Sequence, residues 1–200
     1  MKNSIVLATR NLKKQKEMQQ LVENIGRQVL TLREFPDCPE VIEDQDSFLG
    51  NSEKKAIEVS QFTGCLTIAD DSGLEVDALN RDPGVYSARY ANGEDSNDEE
   101  NLQKVLQELI GVPNEKRTAR FVCAAALARD GKVLFTTRQT VEGIITLEKH
   151  GDGGFGYDPI FYYPPYGKTL AQVDAEDKHA ISHRGKAMRQ VLEFLQNQPQ

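Results

Sequence analysis

The segment Leu66-Thr67-Ile68-Ala69-Asp70-Asp71-Ser72-Gly73 is a short apolar run that meets two adjacent acids. Its apolar part predicts a buried strand that ends at Asp70 and Asp71. Carboxylates at the end of a buried strand are unfavourable without partners, because their desolvation is costly. The pair is well suited to bind Mg²⁺ or to act as a general base. A solvated acidic turn, which Ser72 and Gly73 also favour, is the alternative.

Two helices are predicted on the N-terminal side of this segment. Residues 4–9 form an apolar run typical of a buried central strand, and a helix follows it directly. The apolar stripe of this helix and the glycine that ends it are Met18, Leu21, Val22, Ile25 and Gly26. A second helix is predicted from near Phe48 to Thr63, closed by Gly64.

The junction between the first strand and the first helix is a candidate phosphate site. A strand that leads into a helix presents free backbone N–H groups and the positive end of the helix dipole. Thr9 and Asn11 add neutral hydrogen-bonding groups, and Lys13 and Lys14 add positive charge. A capped helix start in contact with solvent is the alternative.

The C-terminal half combines two helices with a hairpin. A helix is predicted to begin at Ser96, which forms a capping box with Glu99. Strands over residues 119–128 and 133–141 are joined through Asp130-Gly131, a hairpin signal. A last helix is predicted from Ser182. The pattern indicates a mixed α/β fold with a largely antiparallel middle, not a regular alternation of strands and helices.

Two glycine motifs do not carry the function that they suggest. Residues 151–156 match G-x-G-x-x-G, but Tyr157-Asp158-Pro159 follows and leads into a strand, whereas a dinucleotide site needs a helix there. Gly167-Lys168-Thr169 resembles the end of a phosphate-binding loop, yet Tyr162 stands where that loop needs its first glycine.

A basic cluster near the last helix is a second candidate binding segment. Residues 178–185 contain Lys178, His179, His183 and Arg184 around a predicted helix start. Such a segment can bind an anion or the carbonyl at a base edge, although a solvated polar helix start is equally compatible. Phe155 is a candidate for stacking on a base, and a core aromatic is the alternative.

Composition narrows the class of protein. Two hundred residues with 38% hydrophobic and 28% charged side chains are typical of one globular domain. Three scattered cysteines argue against a disulfide framework or a zinc site. With no membrane span or signal peptide recognised in the sequence, a cytoplasmic location is expected. The net charge of −7 opposes nucleic-acid binding, and an anionic substrate needs a cation and local lysines.

Five motifs in order across nearly the whole chain carry a family resemblance. They are Thr9-x-Asn11-x-x-Lys14, Ala69-Asp70-Asp71-Ser72-Gly73-Leu74, Pro83-Gly84-Val85-Tyr86-Ser87-Ala88-Arg89-Tyr90, Gly154-Phe155-Gly156-Tyr157-Asp158-Pro159 and Lys178-x-x-Ile181-Ser182-His183-Arg184-Gly185. Together they resemble the inosine/xanthosine triphosphate pyrophosphatase family. Each motif is moderately specific, and five in register make coincidence implausible.

The resemblance implies a fold, a reaction and a set of site residues. The fold is α/β, an elongated two-lobed mixed sheet flanked by helices, formed by residues 1–200, with the active site in the cleft between the lobes and commonly a homodimer. The reaction is Mg²⁺-dependent hydrolysis of ITP, dITP and XTP to the monophosphate and pyrophosphate, which keeps these nucleotides out of DNA and RNA. Asp71 is implied as proton acceptor and metal ligand. The implied substrate contacts are Thr9, Arg10, Asn11, Leu12, Lys13, Lys14, Ser72, Phe155, Gly156, Tyr157, Asp158, Lys178, His183 and Arg184.

The sequence departs from the family pattern near the phosphates and the metal. Arg10 and Lys13 replace the usual glycines and add bulk and charge. Gly50 replaces a glutamate, so the second metal ligand is expected to be Glu40 first and Glu43 second. Lys55 is a further candidate phosphate contact. Two other functions remain open: a pyrophosphatase acting on modified pyrimidine nucleotides, and a nucleotide-binding regulator without turnover.

Overall fold

The computed structural model describes residues 4–12, 15, 18, 19 and 27–197. Within them the strands are β1 (Ser4–Leu7), β2 (Gln28–Thr31), β3 (Leu66–Val76), β4 (Thr118–Arg129), β5 (Lys132–Ile145), β6 (Phe161–Tyr163) and β7 (Lys168–Thr169). The helices that are described from end to end are α1 (Phe48–Thr63), α2 (Asp98–Glu108), α3 (Ala175–Ile181) and α4 (His183–Gln196). Most of the helix predicted to follow β1 and to end at Gly26 lies outside the described residues, although Met18 is helical and buried.

The seven strands form one mixed sheet in the order β2-β1-β3-β4-β5-β6-β7. Strand β1 is parallel to β2 and to β3, with Leu7 opposite Thr31 and Ile68. Strands β5, β6 and β7 are antiparallel, with Ile145 opposite Phe161. The predicted mixed α/β class is therefore confirmed.

Strand β3 is longer than the sequence indicates. The prediction placed its end at Asp70 and Asp71, but it continues to Val76, so both acids lie in the interior of a strand. Side chains from other elements contact both residues and offset their desolvation, as described below. The backbone beyond Asp71 also needs a glycine, because a Cβ on Gly73 would lie 2.2 Å from Ser87 Oγ.

Helix α1 matches its predicted bounds of Phe48 and Thr63. Ser47 caps its N-terminus, with Oγ accepting a hydrogen bond from Gly50 N, and Gly64 ends it with a left-handed φ of 62°. Helix α2 begins later than predicted. Asn97, not Ser96, is its N-cap and forms the capping box with Glu100.

The predicted hairpin is confirmed and longer than expected. Asp130 and Gly131 have φ values of 50° and 74°, the left-handed pair that a two-residue hairpin turn requires. The tip is also tied to helix α1, since Gly131 N donates to Ser60 Oγ at 3.0 Å.

Backbone contacts divide the chain into two compact units. Unit 1 comprises residues 1–71, 123–139 and 184–200, and unit 2 comprises residues 72–122 and 140–183. Each has its own apolar core. In unit 1, Ile68, Leu127 and Met188 are members of one buried cluster. In unit 2, Leu74, Leu102 and Phe161 are members of another.

Candidate functional site

The acidic pair of unit 1 is contacted by one face of helix α1. Asn51 Nδ2 donates to Asp71 Oδ2 at 2.9 Å, and Lys55 Nζ donates to the Asp70 carbonyl oxygen at 2.9 Å. Residues four apart on a helix lie on the same face, so α1 presents both groups to strand β3. Asp71 is 5% exposed. The predicted catalytic carboxylate is thus nearly buried and held by an amide.

Lys55 also joins the acidic pair to the preceding loop, because its ammonium group forms an ion pair with Glu43. Burial disfavours the charged form of Lys55, but the negative charges of Glu43, Asp70 and Asp71 outweigh this effect and raise its pKa. Lys55 is therefore a cation at neutral pH and stands beside the backbone of the acidic pair. This position suits its predicted role as a phosphate contact.

Arg184 contacts the other acid. Its Nε lies 3.5 Å from Asp70 Oδ2, and both side chains are almost fully buried. The sequence grouped Arg184 with His183 as contacts for the purine edge, and did not predict its ion pair with Asp70. The partner is far away in sequence, so local patterns carry no signal for it.

The predicted Mg²⁺ site requires oxygen ligands around Asp71. In the part of the chain that the structure describes, no three His, Cys, Asp or Glu side chains are grouped closely enough to hold a metal ion. Proteins often hold Mg²⁺ with one or two carboxylates, while substrate phosphates and water complete the octahedron. The carboxylate of Asp71 with one glutamate fits that pattern. Glu43 is linked to the acidic pair through Lys55, whereas Glu40 is exposed.

The predicted phosphate segment is described only in part. Thr9 Oγ1 accepts a hydrogen bond from Asn11 N at 3.2 Å, and Arg10 donates to the Cys38 carbonyl oxygen at 2.6 Å. Leu12 is exposed. Lys13 and Lys14 lie outside the described residues, so the predicted contribution of their charge stays a prediction.

Unit 2 holds a second cluster of predicted site residues around a buried carboxylate. Asp158 Oδ2 accepts hydrogen bonds from Phe155 N at 2.8 Å and from Lys178 Nζ at 2.6 Å. The same ammonium nitrogen lies 4.9 Å from the centre of the Phe155 ring, a cation–π distance. A Cβ on Gly154 would lie 2.1 Å from Asp158 Oδ2, so a glycine is needed there. The cluster positions one lysine and one aromatic ring together.

Ser87, a buried residue of the motif Pro83-Gly84-Val85-Tyr86-Ser87-Ala88-Arg89-Tyr90 for which the sequence predicted no role, links two segments of unit 2. Its hydroxyl accepts a hydrogen bond from Leu74 N at 2.9 Å and donates one to the Gly84 carbonyl oxygen at 2.6 Å. Its own carbonyl oxygen accepts a hydrogen bond from Tyr157 OH at 2.8 Å. Ser87 therefore connects the backbone that follows the half-buried Ser72 to one of the predicted nucleoside contacts. Gly156, beside Tyr157, donates from its N–H to Asp98 Oδ2 at 3.0 Å.

The basic segment is split between two helices. Lys178 lies in α3, whose C-cap is Ser182, and Ser182 N donates to the Lys178 carbonyl oxygen at 2.8 Å. Helix α4 begins at His183, one residue later than predicted. The His183 ring stacks on Phe121, with 5.0 Å between centroids and 11° between planes. His183 is thus held against an aromatic ring of unit 2.

Comparison with known proteins defines the class to which this fold and these motifs belong. The sequence model that describes the Ham1 family matches residues 5–194 of this chain. The chain therefore belongs to the Ham1 family. Within the described part of the chain, no helix has both the length and the hydropathy needed to cross a membrane.

Curated relatives and a solved structure match this chain over nearly its whole length. The chain is 50% identical over 191 residues to the dITP/XTP pyrophosphatase of Desulforamulus reducens, covering 96% of this chain and 94% of that protein. It is 47% identical over 194 residues to the enzyme of the same name from Shouchella clausii, covering 97% of each chain. The structure of a HAM1 protein from Coxiella burnetii superposes with a TM-score of 0.90 at 40% identity, covering 99% of this chain and 100% of that one.

Proposed function

We propose that the protein hydrolyses deaminated purine nucleoside triphosphates, ITP, dITP and XTP, to the monophosphate and pyrophosphate. The names of relatives at 47–50% identity support this activity. The observation that carries the proposal is the buried acidic pair, Asp70 and Asp71, surrounded by Asn51, Lys55 and Arg184. Buried acids with this many polar neighbours are typical of a functional site, because their desolvation is hard to justify for stability alone.

The reaction requires water to attack the α-phosphorus while the bond to the bridging oxygen of the β-phosphate breaks. Asp71 accepts the proton of the attacking water and passes it to solvent. Mg²⁺, when bound, neutralises charge on the phosphate oxygens. Asp71 would hold it together with a glutamate, for which the ion pair with Lys55 favours Glu43 over Glu40. Phosphoryl transfer depends mainly on positioning and electrostatic stabilisation, which these groups supply.

Cationic and hydrogen-bonding groups bind the triphosphate in this proposal. The segment from Thr9 to Lys14 holds the phosphates, with Lys55 as a further contact, and Ser72 touches the substrate. In unit 2, Lys178 contacts a phosphate while Phe155, Gly156, Tyr157 and Asp158 contact the nucleoside. The support for this second group is the shared hydrogen bonding of Phe155 and Lys178 to Asp158.

In this proposal, residues at the start of helix α4 discriminate between purine bases. His183 and Arg184 stand at this end of the helix, and both side chains carry N–H donors. These donors suit O6 of a 6-oxo purine, whereas the amino group of adenine leaves them unsatisfied. Each buried unsatisfied donor costs about 1–3 kcal/mol, and at about 1.4 kcal/mol each, two favour ITP over ATP by about a hundredfold. A homodimer and a cytoplasmic location are proposed on the family resemblance alone.

A panel of nucleotides tests the activity. Purified protein with Mg²⁺ is given ITP, dITP, XTP, ATP, GTP and modified pyrimidine triphosphates, and both pyrophosphate and orthophosphate are measured. We expect pyrophosphate from the first three, with little from ATP. Faster turnover of the pyrimidine nucleotides would favour the alternative pyrophosphatase. Nucleotide binding without pyrophosphate release would identify a regulator instead.

A further inference from the structure

We propose that Asn51 is a positioning residue for the carboxylate of Asp71, a role that rests on the proposed function. Asn51 is 1% exposed, and its amide nitrogen lies 2.9 Å from Asp71 Oδ2. A hydrogen bond from a fixed amide restricts the orientation of a carboxylate. Asn51 therefore holds the carboxylate of Asp71 in a defined orientation.

The direction of the Asn51 amide is determined by a second contact. Its Oδ1 accepts a hydrogen bond from Gln45 N at 2.9 Å. A backbone N–H can only donate, so the oxygen of the amide must face Gln45 and the NH₂ group must face Asp71. A flipped amide would place its NH₂ group against the Gln45 N–H and its oxygen against the Asp71 carboxylate, and both contacts would be repulsive.

Asn51 and Lys55 together join the same two segments. Asn51 connects the backbone at Gln45 to the Asp71 side chain, and Lys55 connects the Glu43 side chain to the Asp70 backbone. One helix face therefore holds the loop that carries Glu43 against the strand that carries Asp71. The two carboxylates proposed to hold Mg²⁺ are positioned by the same pair of helical side chains.

Packing alone does not account for an asparagine at this position. The other polar residues buried on α1 satisfy their donors within the helix, since the hydroxyls of Ser52, Ser60 and Thr63 donate to its own carbonyl oxygens. A buried amide is unfavourable unless its polar atoms are hydrogen-bonded. Here those hydrogen bonds go to the catalytic carboxylate and to the loop beside it, which indicates a role in the site.

The test compares two buried asparagines with similar hydrogen bonding. Asn101 on α2 is 3% exposed, its Oδ1 accepts from Ala91 N at 2.7 Å, and its Nδ2 donates to the Ala88 carbonyl oxygen at 3.1 Å. Asn51→Asp keeps the acceptor for Gln45 but places a carboxylate against Asp71, and repulsion turns Asp71 away. Asn101→Asp makes the same chemical change in unit 2, away from Asp71 in sequence.

Wild-type protein and the variants Asn51→Asp, Asn51→Ala and Asn101→Asp are compared with ITP and saturating Mg²⁺. The measurements are kcat, KM, Tm, and calorimetric binding of an ITP analogue with an α,β-methylene bridge. We expect both Asn51 variants to lose about 10- to 100-fold in kcat, as is typical when the partner of a catalytic ligand is removed. Analogue binding and KM stay close to wild type. Asn101→Asp lowers Tm to a similar extent and keeps its kcat.

Equal kcat losses in Asn51→Asp and Asn101→Asp would overturn the proposal. A wild-type kcat in both Asn51 variants, with or without a change in KM, would also overturn it. If Asn51→Asp does not fold, Asn51→Ser carries the comparison. It shortens the side chain but keeps a hydroxyl donor, and a smaller kcat loss than in Asn51→Ala is expected. A wild-type protein inactive on every nucleotide would instead reject the proposed function.

Discussion

The guanidinium group of Arg184 lies beside the carboxylate of Asp70, with 3.5 Å between Nε and Oδ2, and both side chains are almost fully buried. The residue proposed to read the purine edge is therefore also the ion-pair partner of the acid next to Asp71. A single substitution at this position affects the stability of unit 1 together with substrate recognition, and the two effects must be measured separately.

Replacing Arg184 tests base selection. We expect Arg184→Ala to lower kcat/KM for ITP much more than for ATP, because a donor for O6 is lost. The same change removes a charge from beside a buried carboxylate and lowers the free energy of unfolding by about 3 kcal/mol. Paired kinetics on the two nucleotides, with urea unfolding, check both effects. Arg189→Ala, an exposed arginine on the same helix, is the control. Equal losses on ITP and ATP would show that Arg184 serves Asp70 and not the base.

Asp71→Asn tests the catalytic assignment. The amide has nearly the same size as the carboxylate, and its oxygen can still accept the hydrogen bond from Asn51 Nδ2. We therefore expect an intact fold and a kcat lower by a factor of about 10² to 10⁴, the usual cost of losing a general base or metal ligand. Pyrophosphate release at saturating Mg²⁺ and a circular dichroism melt are the measurements. Near wild-type turnover would mean that another residue activates the water.

Gly73 and Ser87 provide a structural test in unit 2. A Cβ on Gly73 would lie 2.2 Å from Ser87 Oγ and 2.8 Å from the Gly84 carbonyl oxygen. We expect Gly73→Ala to lower Tm and kcat, because the backbone after Ser72 must shift. Adding Ser87→Gly removes the first clash, so the double variant is expected to regain part of the lost Tm relative to additive losses. Strictly additive Tm losses would contradict this contact.

The pH dependence of stability tests the contacts of Asp77. Hydrogen bonds from Arg120 and Thr118 stabilise its carboxylate and lower its pKa. A carboxyl with a lowered folded-state pKa contributes stability above its unfolded pKa of about 3.9 and loses that contribution as the pH falls through the folded value. We expect Asp77→Asn to be less stable than wild type at pH 7, with a difference that shrinks below pH ~4. Urea unfolding from pH 7 to 2.5 measures it. A constant difference would contradict the assignment.

Capping and turn residues predicted the helix α1 and the β4–β5 hairpin, whereas features that depend on long-range contacts were not predicted. Ser47, Gly64 and the Asp130-Gly131 turn act within a few residues of themselves, so α1 and the hairpin were predicted correctly. Two neighbouring residues, Ser96 and Asn97, both had an acid three positions later. The structure uses Asn97 as the cap, while Ser96 Oγ accepts a hydrogen bond from Asn92 N.

The partners of the acidic pair, Asp70 and Asp71, could not be predicted from neighbouring residues either. The sequence predicted that the strand ends at Asp70 and Asp71, because the apolar run stops there. Their partners, Asn51 and Arg184, are 20 and 114 residues away. Motif order selected Asp71 and Arg184 as candidate site residues, whereas the hydrogen bond to Asp71 and the ion pair with Asp70 depend on tertiary structure.

The hairpin tip at Asp130-Gly131 has a practical consequence for anyone who labels this protein. Tips of surface hairpins are usual places to insert an affinity tag or a fluorophore peptide. Here Gly131 N is hydrogen-bonded to Ser60 Oγ, and a Cβ at Gly131 would lie 2.4 Å from Gln61 Nε2. A peptide inserted at this tip breaks that contact with α1, the same helix that carries Asn51 and Lys55. A reporter placed there therefore perturbs the enzyme that it is meant to observe.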